Sequence, residues 1–178
     1  MKVVFLTNVV TPYRKPVFDR LASIEGWDFS VGINAASEFD RSWNVNHEGL
    51  NVVESKTISI PRKVVSTEPV RFEQVITLHL PVGLWRDLRT IKPDVIITQE
   101  LGPRSMSAPA YAKRSGVPLV AWAYHPRISA THGARRRGPI WRWILRNADA
   151  VVGMGIQARE VLGNLGVEAD RIVDAPNS

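Results

Sequence analysis

Residues 147–178 read NADAVVGMGIQAREVLGNLGVEADRIVDAPNS. AVVGM (Ala150–Met154) is a short apolar run of the kind that forms a strand buried on both faces. Ile156–Leu165 has helical spacing and is closed by Gly166 in the C′ position. RIVD (Arg171–Asp174) is a further strand. Inside this unit, Gly153-Met154-Gly155-Ile156-Gln157-Ala158 spells G-x-G-x-x-A between strand and helix, and Asp174 ends the next strand. That combination satisfies the dinucleotide fingerprint on paper, including an acid about 20 residues on to hold a ribose. Its position argues otherwise. It lies at the last crossover, not the first, and most of the sheet such a domain needs would have to follow Asp174. The preferred reading is a tight strand-to-helix turn that binds no dinucleotide.

The same alternation extends towards the N-terminus. Val82–Ile91 reads as a helix ended by Pro93, Asp94–Gln99 as a strand, and Ser105–Ser115 as a helix closed by Gly116. Pro118–Tyr124 reads as a strand and Pro139–Asn147 as a helix. At the start of the chain, Lys2–Thr7 is a buried strand. Pro12 then opens a helix with Thr11 as N-cap, and Val17, Leu21 and Ile24 recur at helical spacing with Phe18 beside them. Gly26 stops that helix, and Trp27–Asn34 is the second strand. Ala35–Pro81 is the least regular part; LNVVES and KTISI suggest short strands, within loops, a strand or hairpin and a small helix. Short connections between strands and helices predict an α/β fold, a doubly wound, mostly parallel, Rossmann-like sheet with helices on both faces.

At 178 residues the chain suits one domain with a real core. The absence of cysteine removes disulfides, thiolate metal sites and a cysteine nucleophile, and suits a reducing cytosol. No apolar run reaches the ~20 residues needed to span a bilayer, and MKVVFLTNVV lacks a signal-peptide cleavage pattern. The net charge of +6 is unevenly placed. Between Glu100 and Asp149 there is no acidic residue, while Arg104, Lys113, Arg114, Arg127, Arg135, Arg136, Arg137, Arg142 and Arg146 all fall there. So one-sided a distribution favours an anionic partner.

Ligands of doubly wound sheets sit outside the carboxyl ends of the strands. The first strand is followed by neither G-x-G-x-x-G nor a Walker sequence, and Thr7 and Asn8 stand where a phosphoacceptor receiver needs acids. His125 follows the Pro118–Tyr124 strand directly, beside Arg127, where an imidazole can orient a substrate or exchange protons. Glu100, at the end of ITQE, either pairs with Arg104 one helical turn on or accepts hydrogen bonds from substrate hydroxyls. His47, His79 and His132 lack metal-ligand spacing, and no metal is expected. No Ser-His-Asp arrangement and no pair of carboxylates stands out. In GARRRGPIWRWILRN (Gly133–Asn147), Arg135–Arg137 read as a basic loop facing an anionic acceptor or a membrane. Ile140, Trp141, Ile144, Leu145 and Ala148 then form an apolar arc, with Trp141 in the core, Trp143 at its margin and Arg142 and Arg146 as a polar stripe.

Several stretches together resemble the N-terminal domain of glycosyltransferase family 4, the group 1 glycosyltransferases of GT-B fold. TNVVTPYRKPVFDRLA is similar to the family's opening strand and helix, KPDVIITQE to its fourth-strand region, and GVPLVAWAYHPR to a strand whose end often carries a histidine. Asn147–Ser178 resembles its most diagnostic segment, where a "G-V" turn leads to a strand ending in Pro-Asn. The resemblance covers nearly the whole chain and is weakest over Ala35–Pro81. Where many members have a Gly-Gly pair in the first loop, Val9 and Val10 stand here, and the fourth strand ends in Gln99-Glu100 instead of near a histidine.

The resemblance implies an acceptor-side domain spanning 1–178 and ending in an interdomain linker at 175–178. The nucleotide-diphosphate sugar donor would be bound mainly by a C-terminal domain beyond it, so that no cofactor belongs to this domain and the isolated piece is inactive. It makes His125 the cleft histidine, with Asn8, Tyr13 and Arg14 on the first-loop side and Glu100 and Arg127 completing the rim. The implied partners are a sugar or lipid-linked sugar acceptor, the C-terminal domain and an anionic membrane surface, in a cytoplasmic protein peripheral on the inner face of the plasma membrane and serving cell-envelope polysaccharide synthesis. Two other classes stay open: a basic module for anionic membrane or nucleic acid, and a GT-B sugar-nucleotide epimerase. Nucleic acid is disfavoured, because the chain lacks an RNP-like aromatic strand and a recognition-helix motif.

Overall fold

The structure is a computed structural model and describes residues 1–36, 45–66, 72–99, 103–123, 134–154 and 158–175. Its strands are β1 (Lys2–Leu6), β2 (Asp28–Ile33), β3 (Asn51–Glu54), β4 (Ile58–Ser66), β5 (Phe72–Leu80), β6 (Val95–Gln99), β7 (Leu119–Ala123), β8 (Ala150–Met154) and β9 (Ile172–Ala175). Its helices are α1 (Lys15–Ala22), α2 (Leu84–Ile91), α3 (Pro103–Ser115), α4 (Ala134–Arg146) and α5 (Ala158–Asn164). Seven strands form one sheet in the order β3-β2-β1-β6-β7-β8-β9, every pair parallel. The doubly wound α/β expectation therefore holds. β4 and β5 stand apart as an antiparallel hairpin, with Ile58 opposite Leu80 and Ser66 opposite Phe72. The hairpin lies in the stretch that the sequence leaves least defined. β5 is a full nine-residue strand that no motif announces.

Two apolar clusters lie on opposite faces of the sheet. On one face Val4, Leu6, Ile96, Leu119, Ala121 and Val151 meet Leu84 and Leu88 of α2, Ala108 and Tyr111 of α3, Leu145 of α4 and Leu162 of α5. On the other, Val3, Phe5, Phe29, Val31 and Ile97 meet Phe18 of α1. β7 and β8 alternate strictly between buried and half-buried positions. The half-buried side, opposite α2–α5, carries Val120, Trp122, Val152 and Met154, and Val173 of β9 is 52 % exposed. Among the described helices, only α1 contributes to the core on that side.

α1 begins at Lys15, not at Pro12. The N–H groups of Arg14 and Lys15 both donate to the Thr11 carbonyl (3.0 and 3.1 Å), so residues 11–14 form a turn before the helix. Thr11 is not the cap: its buried hydroxyl has no partner among the described residues, and Arg14 occupies the N-cap position without a side-chain bond. Pro16 fits the first turn, where no N–H is required. The helix docks through Phe18. Phe18 is 1 % exposed, whereas Val17 and Ile24, expected on the core side, are 43 % and 37 % exposed.

α4 also departs from expectation. Its backbone is helical from Ala134, so Arg135–Arg137 lie in its first turns and not in a loop before it. Arginine is a good helix former, and the helix continues through Pro139 despite the lost backbone bond and the crowding its ring causes. Ile144, Leu145 and Ala148 are buried as the periodicity requires, Trp141 is only partly buried, and Ile140 and Trp143 are exposed. α5 ends as expected: Gly166 has φ of 85°, Val167 N–H donates to Leu162 O and Gly166 N–H to Gly163 O, a Schellman closure.

Candidate functional site

The chain passes from β1 outward to β2 and β3, then returns to β6 on the other side of β1 and proceeds outward to β9. The strand order thus reverses between β1 and β6, and the crevice outside their carboxyl ends is where such sheets bind ligands. Three chain segments converge there: the loop after β1, the end of β2 with the residues after β3, and the end of β6 with the start of α3.

Asn8 anchors the first segment. Its carbonyl accepts from Asn34 N–H (2.9 Å) and Ala35 N–H (3.3 Å), and its Oδ1 accepts from Asn34 Nδ2 (2.8 Å). Thr57 Oγ1 donates to Asn34 Oδ1 (3.4 Å) and to Ser55 O (2.8 Å), tying in the residues after β3. Val9 and Val10 are buried, so side chains fill the place where a glycine pair would bare the backbone. Tyr13 is 66 % exposed, and the Arg14 guanidinium lies 5.7 Å from its ring centroid, a cation–π pair at the rim of the loop. Asn8, Tyr13 and Arg14 thus share the segment after β1, with Asn8 held by hydrogen bonds, Tyr13 exposed and Arg14 half-buried.

Glu100, His125 and Arg127 lie outside the described residues. The strands they follow in sequence, β6 and β7, are neighbours, with Gln99 opposite Trp122. The side chains of Arg135–Arg137 are likewise outside what is described. Two polar residues at this edge fall in the stretch from the end of β6 where the sequence expects a ligand, Gln99 to Arg104, but carry no assigned ligand role there. Arg104, in the first turn of α3, is 4 % exposed and donates from Nη1 to the Gly32 carbonyl (3.3 Å), which sets a buried guanidinium across the end of β1. Gln99 is 2 % exposed at the end of β6. The one available signal was the polar ending of an apolar strand run, DVIITQ. Neutral amides and hydroxyls beside a buried cation suit a hydroxyl-rich ligand that carries negative charge.

Gly153, the first glycine of G-x-G-x-x-A, serves packing. A Cβ on Gly153 would stand 2.8 Å from Ala158 Cβ and 3.0 Å from Leu162 Cδ1, so the glycine lets α5 lie directly on β8. Asp174 is engaged by Arg159 at 2.7 Å and is not presented to a ribose. Gly153→Ala is accordingly expected to cost about 1–3 kcal/mol through overpacking, read by urea denaturation. Gly155–Gln157 lie outside the described residues. Among the described residues there is no group of three or more side chains that could hold a metal, and no helix is long and apolar enough to cross a membrane.

Residues 20–178 match the family described as "Glycosyl transferase 4-like domain". The chain belongs to that family. Solved structures share its fold at low identity. Anabaena HepE, solved in complex with UDP-glucose, aligns over 100 % of this chain and 44 % of its own, with a TM-score of 0.63 at 15 % identity. Sucrose-phosphate synthase from Thermosynechococcus elongatus aligns over 99 % of this chain and 48 % of its own (TM-score 0.64, 11 % identity). UDP-GlcNAc 2-epimerase from Neisseria meningitidis aligns over 98 % of this chain and 45 % of its own (TM-score 0.61, 12 % identity). The chain thus spans less than half the length of each. No curated protein sequence matches significantly.

Proposed function

We propose that this chain is the acceptor-binding half of a retaining, nucleotide-sugar-dependent glycosyltransferase that transfers a sugar to a glycan, glycolipid or phosphorylated-sugar acceptor. The observation that carries the reading is membership of the glycosyl transferase 4-like family over residues 20–178. The polar groups gathered at the β1–β6 crevice support it, being of the kind that bind sugars. In this reading a second domain follows and binds most of the nucleotide-diphosphate sugar. Two things support that: the similar solved chains are more than twice as long, and the sheet face opposite α2–α5 keeps half-exposed apolar residues over β7–β9. His125 orients the acceptor or exchanges its proton, Asn8, Tyr13 and Arg14 line one wall, and Glu100 and Arg127 close the other. Transfer builds oxocarbenium character on the sugar and negative charge on the leaving diphosphate. Cationic groups and helix N-termini lower the barrier by meeting that charge.

The test is to assay the full-length protein for nucleoside-diphosphate release and sugar transfer, with a panel of nucleotide sugars and lipid-linked or phosphorylated acceptors. Acceptor-dependent transfer supports the reading; none with any pair removes it. A specific observation also favours a second reading, because an epimerase is among the structures of the same fold. Acceptor-independent conversion of a UDP-sugar to its 2-epimer distinguishes it.

The same reading places the protein at the cytoplasmic face of a membrane, with Arg135–Arg137 against anionic headgroups. Each cation near such a surface contributes about 1 kcal/mol. Replacing all three by alanine should therefore weaken flotation with anionic liposomes roughly 100-fold, with no change for neutral ones. Equal binding to both liposome types, or none, counts against membrane contact.

A further inference from the structure

Gln99 is a buried primary amide whose Oε1 and Nε2 both lack a hydrogen-bond partner among the described residues. That arrangement is costly, because a buried amide without partners forfeits the bonds it made to water in the unfolded chain. The described neighbours supply no remedy. Alternation along β1 and β6 puts Phe5, Thr7, Ile97 and Gln99 on the face that α1 covers. Thr7, beside Gln99, directs its hydroxyl to Val9 O (3.4 Å). Trp122, opposite Gln99 on β7, gives its indole N–H to Met154 Sδ (2.9 Å), and its ring lies 5.6 Å from that of Phe5. Thr11, on the loop that follows β1, adds a buried hydroxyl that also lacks a partner among the described residues.

We infer that Gln99 is a specificity-determining residue that hydrogen-bonds hydroxyls of a bound sugar at the β1–β6 crevice, an assignment that rests on the proposed glycosyltransferase reading. The chemistry of the amide selects the ligand class. Oε1 accepts and Nε2 donates twice. A phosphate or carboxylate only accepts, and would leave Oε1 unpaired in a dry site. Neighbouring sugar hydroxyls both donate and accept, and one pair of them can satisfy both ends. The position agrees, since Gln99 ends the strand at which the sheet order reverses. The sugar concerned is either the acceptor or the glycosyl group of the donor, and the amide chemistry is the same for both.

Full-length wild type is to be compared with Gln99→Met, a side chain of similar length without the polar atoms. The expected melting temperature is higher by about 2–4 °C, because the orphaned groups are gone. The expected kcat/KM for transfer is lower by roughly 10- to 100-fold. A rise in acceptor KM alone assigns the contact to the acceptor, and a rise in donor KM alone assigns it to the donor sugar. A fall in melting temperature with kcat/KM within about twofold of wild type overturns the inference, because the amide is then only a structural element. Failure of the underlying function reads differently: wild type itself transfers no sugar. Equilibrium binding of glucose and of UDP-glucose to both proteins then decides. Weaker binding of either by the variant upholds the role of Gln99; equal binding, or no binding to either protein, overturns it.

Discussion

Full-length protein carrying His125→Ala is expected to lose sugar transfer by about 100-fold or more in kcat while keeping its melting temperature within about 2 °C of wild type. In sequence, His125 comes two residues after the end of β7, the strand beside the switch-point strand β6, and the carboxyl ends of such strands are where ligands bind. In the proposed role its imidazole would hold an acceptor hydroxyl or move its proton in the transition state, so the loss should appear in kcat and not only in KM. His125→Gln separates the two roles. A glutamine keeps a hydrogen bond but cannot exchange a proton near neutral pH, so substantial recovery indicates orientation, and no recovery indicates proton transfer. Steady-state transfer assays with a parallel thermal melt measure both quantities. Near-normal activity of the alanine variant would remove His125 from the mechanism.

Phe18→Ala is expected to destabilise the fold by about 3–5 kcal/mol, the largest effect foreseen for a single α1 residue. Phe18 packs edge-on against Phe5 at 4.9 Å and lies 6.3 Å from Phe29, so it joins α1 to both β1 and β2. Val17→Ala, one position earlier on an exposed site, should cost no more than about 0.5 kcal/mol. Urea denaturation of the two variants tests the observed helix phase. Were Val17 the more costly position, the register of α1 described here would be wrong.

The contrast between those residues shows where the sequence is transparent and where it is not. Parallel strands are covered by neighbours over much of their length and read as apolar runs, so β1, β2, β6, β7 and β8 stand where the runs stand. Helix phase is less visible. Three turn residues ahead of Lys15 carry the same signals as a helix start, the helix docks through Phe18 and not Val17, and Ile24 lies beyond its end at Ala22. A Gly-Pro pair reads as a helix beginning, because an interior proline loses a backbone bond and crowds the preceding turn at a cost of about 3 kcal/mol, yet α4 runs through it. β5 mixes polar and apolar residues in a hairpin outside the main sheet, and its pairing depends on contacts that no local pattern encodes.

For the site, topology was legible and burial was not. The ends of β1 and β6 follow from the order of elements, and Asn8, Tyr13 and Arg14 are found together at one of them. Gln99 and Arg104 are distinguished only by how deeply they lie, which depends on what packs above them. Each reads on its own as an ordinary polar residue at the end of an element.

The base of the β4–β5 hairpin is pinched shut. Gly83 N–H donates to Lys56 O at 2.9 Å, and a Cβ on Gly83 would stand 2.8 Å from the Lys56 backbone nitrogen. The excursion therefore leaves the sheet and returns at a single point, and the two ends stay side by side whatever lies between them. It follows β3, so this point belongs to the carboxyl edge of the sheet. A segment anchored in this way is a cassette. It can be lengthened, trimmed or exchanged among related enzymes without re-registering the seven strands, because closing a loop whose ends already touch costs little more as it grows. Exchange of this hairpin offers a route by which evolution, or an engineer, can reshape what approaches the crevice while the framework beneath stays as it is.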